Sequence, residues 1–249
     1  MIPIHSEKEI DRIRKACRIV AQTFQLLEEM IEPGITTEQI DKEAEKFIRS
    51  KNAIPAFKGF HGFPAAACVS IDDQVVHGIP GKRVLKKGEI VSVDIGANLD
   101  GYFGDSANTY VVGEVSDSKK RLMQITKESL YLGIDQAIIS HRLSDISHAI
   151  QTHVEKNGYS VVRDLVGHGI GRELHEPPQI PNYGAPRKGP RLRKGMVLAI
   201  EPMVNMGRYK VQTESDNWTV TTVDGLPSAH FEHTITVTNG EPEILTIIG

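Results

Sequence analysis

The chain has only two cysteines, Cys17 and Cys68, in 249 residues. Two are too few for a disulfide framework, and a chain this long does not need one. No apolar run approaches the roughly 20 residues of a membrane span. The start, MIPIHSEKEIDRIRKA, turns charged at once and lacks the apolar core of a signal peptide. The formal net charge is only -3, which gives no support for bulk nucleic-acid binding or a strongly charged partner. No low-complexity segment or linker interrupts the chain, and Pro186 to Pro190 reads as a surface loop. These absences, with 39% hydrophobic and 24% charged residues, describe a reduced, cytoplasmic, globular protein forming a single domain over residues 1–249.

Local signals are strong at the start of the chain. Ser6 with Glu9 three positions on makes a capping box for a helix over residues 7–30. Ile10, Ile13, Cys17, Val20, Phe24, Leu27 and Ile31 fall near helical spacing and mark its buried face, so Cys17 belongs to packing. Glu32-Pro33-Gly34 stops this helix, and a second begins at Thr36 or Thr37 and ends near Lys51. A glycine- and aromatic-rich loop follows, AFKGFHGFP from Ala56 to Pro64, then a strand-turn-strand over Ala67 to Val76. The plan then recurs. LKKGEIVSVD ending at Asp94 resembles LRKGMVLAIE ending at Glu201, an offset of 107 (201 − 94), and within the helix pairs TEQI from Thr37 echoes LSDI from Leu143 at an offset of 106 (143 − 37). One period repeated twice implies two related halves, roughly 7–113 and 120–238, packed about a shared centre, each with a carboxylate at the end of an apolar strand.

The stretch from Val91 to Gly113 is a hairpin about Asn98-Leu99-Asp100-Gly101. A four-residue loop sets Asp94 opposite Asp105; a two-residue Asp100-Gly101 loop shifts the pairing by two and keeps both on one face. Two carboxylates in an apolar hairpin require a shared proton or a cation, unless that face is solvated. His168 sits between glycines in GHGIG, Glu201 ends the apolar strand MVLAI, and Glu232 lies in HFEHTITV, where spacing alone does not choose it over His230 or His233. Carboxylates with an imidazole suit Mn²⁺, Fe²⁺, Co²⁺ or Zn²⁺. One catalytic metal commonly takes three protein ligands, so four acids and a histidine fit a pair of metals.

The order Asp94, Asp105, His168, Glu201, Glu232, in the contexts GHGIGRELHE, AIEPM and HFEHT, resembles type I methionine aminopeptidase from end to end. The resemblance implies an α/β pita-bread fold, a duplicated, mainly antiparallel curved sheet covered by helices. It also implies a hydrolase that removes the N-terminal methionine of nascent proteins when the second residue is small, by attack of a metal-activated water on the first peptide bond. Two divalent ions would be bridged by Asp105 and Glu232, with Asp94 completing one and His168 and Glu201 the other. Glu201 would relay the proton, while His77 in VVHGIP and His175 in ELHE would contact the substrate. Phe57, Phe60, Phe63, Cys68, Leu174 and Trp218 would wall the methionine pocket, and a structural Na⁺ or K⁺ would lie near Asp72, Gln74 and Ser228. The family implies a cytoplasmic monomer acting on nascent chains, in transient contact with the ribosome, with no direct nucleic-acid recognition and no membrane. Against the alternatives, X-Pro peptidases of this fold carry an added N-terminal domain, type II enzymes a helical insertion, and metal-free RNA-binding relatives lose ligands.

Overall fold

In a computed structural model describing residues 1–248, four helices back a set of antiparallel sheets. Helix α1 (Glu7–Met30) starts where Ser6 and Glu9 form the expected capping box, and α2 (Thr37–Ser50) starts at a second one made by Thr36 and Gln39. Strands β1 (Ile54–Pro55), β2 (Ala67–Ile71), β3 (Gln74–Val76), β4 (Ile90–Leu99) and β5 (Tyr102–Val111) complete the first half. The second half holds α3 (Asp117–Ile134) and α4 (Leu143–Lys156), then β6 (Ser160–Val161), β7 (Val166–Gly169), β8 (Glu176–Pro181), β9 (Val197–Ile200) and β10 (Met203–Asn205). It ends with β11 (Val211–Thr213), β12 (Val220–Thr222), β13 (Ser228–His230), β14 (His233–Thr236) and β15 (Glu243–Ile244).

The repeated plan is visible in single hydrogen bonds. Leu85 N–H donates to Ile35 O, and Leu192 N–H to His141 O; Gly88 N–H donates to Val112 O, and Gly195 N–H to Val237 O. Isolated bridges join Thr36 to Val84 and Arg142 to Arg191 in the same way. In each half a helix entry is thus pinned to a basic turn that feeds an apolar strand.

The hairpin carries one correction. Its turn has two residues, Asp100 (φ 52°) and Gly101 (φ 80°), both left-handed as a tight hairpin turn requires. Asp94 therefore pairs with Ala107, and Asp105 with Gly96, so the aspartates are diagonal neighbours on one face and not directly opposite. The segment Ala67–Val76 also departs from a simple hairpin: β2 pairs with β4, whereas β3 leaves to pair with β12.

Strand β4 has β5 along one side and β1 and β2 along the other. A second sheet runs β15-β14-β9-β7-β8. The two meet at a seam between β5 and the chain around β13 and β14. There Glu232 N–H donates to Ala107 O at 2.9 Å, and the Ser106 hydroxyl donates to Glu232 O at 2.6 Å. Thr234 Oγ1 donates to Asp105 O at 2.7 Å, and Thr109 Oγ1 to His230 O at 2.7 Å. This seam sets Asp105 beside Glu232. Helix α1 closes over β5 so tightly that a Cβ on Gly104 would come within 2.5 Å of Cys17 N, and Cys17 is buried as packing. Of the apolar residues expected on the inner face of α1, Phe24 and Ile31 are only half-buried.

Candidate active site

A cavity of about 640 Å³ opens where the two sheets meet. Asp94, Asp105, His168, Glu201 and Glu232 all line it, and so do Phe57, Phe60, Phe63, Cys68, His77, Leu174, His175 and Trp218. Thus the residues singled out for metal binding and those singled out for the substrate share one space. A larger cleft elsewhere, about 910 Å³ along α4, contains none of them.

Each acid comes from an element held by backbone pairing. Asp94 and Asp105 project from one hairpin, and Glu201 follows β9. Because Ile200 pairs with His233, Glu201 and Glu232 lie one step beyond that pair, at the same end of the β9–β14 ladder. Ligand atoms of Asp105, His168 and Glu232 lie within 4.8 Å of one another. The His168 Nε2 is 3.7 Å from Glu201 Oε1 and 3.9 Å from Asp105 Oδ2, which ties Glu201, a third acid, to the group.

The glycines around His168 serve the neighbouring strands. A Cβ on Gly167 would come within 2.5 Å of Ala199 O, and one on Gly169 would collide with the Pro177 carbonyl. They let β7 fit tightly between β8 and β9, which fixes the imidazole; its Nδ1 faces Gly169 O at 2.9 Å. That leaves Nε2 toward the carboxylates, the arrangement a metal-ligating histidine uses.

The electrostatics are those of a site built for a cation. Asp94 Oδ1, Asp105 Oδ1 and Glu232 Oε1 are buried with no hydrogen-bond partner. Leaving buried charged oxygens unmatched is costly. Burial pushes the Asp94 carboxyl up to about 7 and the Glu201 carboxyl up to about 8. Burial and the surrounding carboxylates raise Asp105 and Glu232 well above the usual range. Burial holds the His168 imidazole down at about 4, so it is neutral and available as a donor ligand at pH 7. Oxygen donors with one imidazole suit divalent transition ions, so the residues present fit such a group.

These shifts predict how the metal-free chain responds to pH. A carboxyl with a raised folded value holds a proton that the unfolded chain has released, so stability falls as pH rises toward that value. Buried neutral histidines oppose this, but only up to their unfolded value of 6.5. Between 6.5 and about 8 the carboxylates act alone. In the presence of chelator the melting temperature is therefore expected to fall through this window. With divalent ion bound it is expected to hold or rise, since metal favours deprotonated ligands. A melting temperature that rises with pH in chelator would contradict this assignment.

The apolar side of the cavity is a packed cluster that includes Phe57, Phe63, Cys68 and Leu174, with Phe60 and Trp218 partly buried against it. Phe63 meets Trp218 edge-on at 5.1 Å between centroids, Phe60 meets His175 at 5.1 Å, and His175 meets His168 at 4.3 Å. The loop carrying Leu174 and His175 is pinned by Glu176, whose Oε1 accepts the N–H groups of Arg172 and Glu173 and whose Oε2 lies 3.3 Å from His5 Nε2. The Cys68 thiol is raised well above its ordinary value by burial and by Asp94, its cross-strand partner, so it stays protonated and unsuited to act as a nucleophile.

Three further residues belong here that the sequence did not single out for roles. His230 is buried, with Nε2 3.5 Å from Glu201 Oε2; its alternation with Glu232 in HFEHT was the available signal. His61 lines the cavity beside Phe60, and Gln179 enters as the cross-strand partner of His168. His233, left open with His230 and Glu232 by its spacing, points elsewhere, toward Thr246 and Tyr131.

Comparison with known proteins agrees with this geometry. Residues 11–239 match the family described as Metallopeptidase family M24. Methionine aminopeptidase 1 of Bacillus subtilis is 57% identical over 246 residues, covering 99% of both chains. A crystal structure of methionine aminopeptidase from Rickettsia prowazekii superposes with a TM-score of 0.98 at 44% identity, covering 99% of this chain and 100% of that one. Prolidase from Pyrococcus furiosus shares the pita-bread fold at a TM-score of 0.80 and 23% identity; this chain covers only 66% of it. With a buried carboxylate cluster at the centre of that fold and end-to-end likeness to those enzymes, the chain belongs to the methionine aminopeptidases of metallopeptidase family M24.

Proposed function

We propose that this chain hydrolyses the first peptide bond of polypeptides that begin with methionine and have a small second residue, and that residues 1–249 form one catalytic domain built from the two related halves. The observation that carries this reading is a single cavity in which unpartnered carboxylate oxygens face an aromatic-walled pocket. Asp105 and Glu232 would bridge two divalent ions, Asp94 would complete one, and His168 and Glu201 the other. Bound there, the ions supply Lewis acidity, ionising water at neutral pH and polarising the scissile carbonyl. Co²⁺, Fe²⁺, Mn²⁺ and Zn²⁺ all suit the donor set.

The chain's own groups do the rest. Glu201 takes the proton from water and passes it to the departing amine. Burial, with His230 and His175 nearby, holds His77 down at about 4, and burial also lowers His175. Both are therefore neutral at pH 7 and each has one N–H to donate, His175 to the carbonyl oxygen as it gains charge and His77 to the scissile amide region. Phe57, Phe60, Phe63, Cys68, Leu174 and Trp218 hold the methionine side chain, each sulfur–aromatic contact contributing about 0.3–1.5 kcal/mol.

This division of labour has a direct test. His168→Ala is expected to lower metal content, whereas His175→Ala keeps its metal and loses turnover by roughly 10²–10³-fold, the scale for one oxyanion donor. Metal analysis beside steady-state rates separates them; equal metal loss in both would reject the assignment.

The setting follows from the substrate. Nascent chains are a source of such N-termini, and the proposed setting is therefore the cytoplasm, with the protein acting as a monomer in transient contact with the ribosome and without nucleic-acid recognition of its own. Among the described residues no helix is long and apolar enough to cross a membrane.

A further inference from the structure

The resemblance leads one to expect a free Na⁺ or K⁺ near Asp72, Gln74 and Ser228, and the donors at that place do not fit one. Asp72 Oδ1 accepts from Ile90 N–H at 3.1 Å and from the Lys119 ammonium at 2.6 Å. Asp72 O accepts Ser228 N–H at 2.8 Å. Gln74 Oε1 is turned onto Ile71 N–H at 2.9 Å, and the Ser228 hydroxyl donates to Val204 O at 3.1 Å. Asp72 Oδ1, Gln74 Oε1 and the Ser228 hydroxyl proton are committed to internal partners, and a positive charge is already present.

That charge is held unusually well. Lys119 Nζ donates to Gly88 O at 2.7 Å as well as to Asp72. Its side chain is 16% exposed and that of Asp72 27%. The other lysines that pair with acids among the described residues keep at least 44% of their side chains exposed. Such exposed pairs contribute little, while a partly buried ammonium with two oxygen partners contributes more. Asp72 also needs the support: its φ of 51° is left-handed, which is strained for a residue other than glycine.

From these contacts we infer that the Lys119 ammonium is the resident cation of this turn, tethered from α3 in place of a free monovalent ion. It joins α3 in the second half to the β2–β3 turn and to the chain entering β4 in the first half. A free ion stabilises in proportion to the logarithm of its concentration above its dissociation constant, whereas a tethered one is present at every salt composition. The turn leads through β3 to His77, so the clamp fixes the entry of that residue into the cavity whatever the surrounding ion.

The test is thermal melting of the divalent-loaded protein in NaCl, KCl and tetramethylammonium chloride at equal ionic strength. The unsubstituted chain is expected to melt at one temperature in all three. Lys119→Ala is expected to melt lower by about 2–4 °C or more, the scale for one such contact in a chain of this size. It is also expected to regain part of that loss in Na⁺ or K⁺ relative to tetramethylammonium. Should the unpaired Asp72 carboxylate prevent that variant from folding, Lys119→Ala combined with Asp72→Asn removes it and is expected to show the same ion preference. A preference for Na⁺ or K⁺ in the unsubstituted chain overturns the inference. So does a foldable variant that is destabilised without any ion preference, because Lys119 is then an ordinary ion pair.

Discussion

Replacing either acid proposed to bridge the metals, Asp105→Ala or Glu232→Ala, is expected to abolish tight binding of the proposed metal pair and to lower peptide hydrolysis by on the order of 10³-fold or more. The reason lies at the seam. Asp105 and Glu232 are almost fully buried, and each carries an oxygen with no protein partner. Their backbones are joined through Ala107, Ser106 and Thr234, so neither carboxylate can swing away to find water. The same logic gives a second sign. In the metal-free chain each of these carboxylates is a buried cost, so Asp105→Asn is expected to melt higher than the parent in chelator and lower in divalent metal. Calorimetry in the two conditions, with metal analysis, checks both halves. Full activity in either purified alanine variant, or an Asn variant destabilised equally with and without metal, would remove the bridging role.

The second large effect is selectivity. The pocket walled by Phe57, Phe63, Leu174 and Trp218 is apolar and closely packed, suited to an unbranched thioether and hostile to charged or β-branched side chains. One methylene of misfit in an apolar pocket is worth about 1–3 kcal/mol, so discrimination among apolar first residues is finite. On the proposed roles the second residue would meet harder walls, because His175, which stacks edge-on with both His168 and Phe60, lines the same cavity as the carboxylates. Met-Ala-, Met-Gly- and Met-Ser- peptides are therefore expected to lose methionine, and Met-Lys- and Met-Phe- peptides to react slower by roughly 10²-fold or more. Formylation should block cleavage by removing the free amine. Mass analysis of a peptide series reads this directly; comparable cleavage of Met-Ala- and Met-Lys-, or of formylated and free peptides, would contradict it.

What could be read from the chain alone divides by distance in sequence. The start of α1 was legible because a capping box is a local signal, complete within four residues, and that of α2 because Thr36 and Thr37 follow the Pro33-Gly34 stop. The repeat was legible because LKKGEIVSVD and LRKGMVLAIE perform the same local task, a turn feeding an apolar strand. The hairpin register was not fixed, since a two-residue and a four-residue loop fit the same letters and only the left-handed Asp100 decides. The choice of Glu232 over His233 needed the seam with β5, a contact more than a hundred residues away in sequence. The glycines beside His168 make room for β8 and β9, a purpose that only the pairing of those strands reveals. The short strands between Met203 and His230 have weak local patterns, and their pairing is set by partners such as Val161 and Val76.

The central claim is that one buried group of carboxylates and histidine holds two divalent ions that this chain uses to release N-terminal methionine. It is tested most directly by stripping the protein with chelator and titrating Mn²⁺ or Co²⁺ back, following bound metal per chain and release of methionine from a Met-Ala- peptide in the same samples. The account predicts no hydrolysis after stripping, recovery as metal is added, and saturation of the site at two ions per chain. Hydrolysis that persists in the stripped protein, or metal that binds fully without restoring release of methionine, would contradict it.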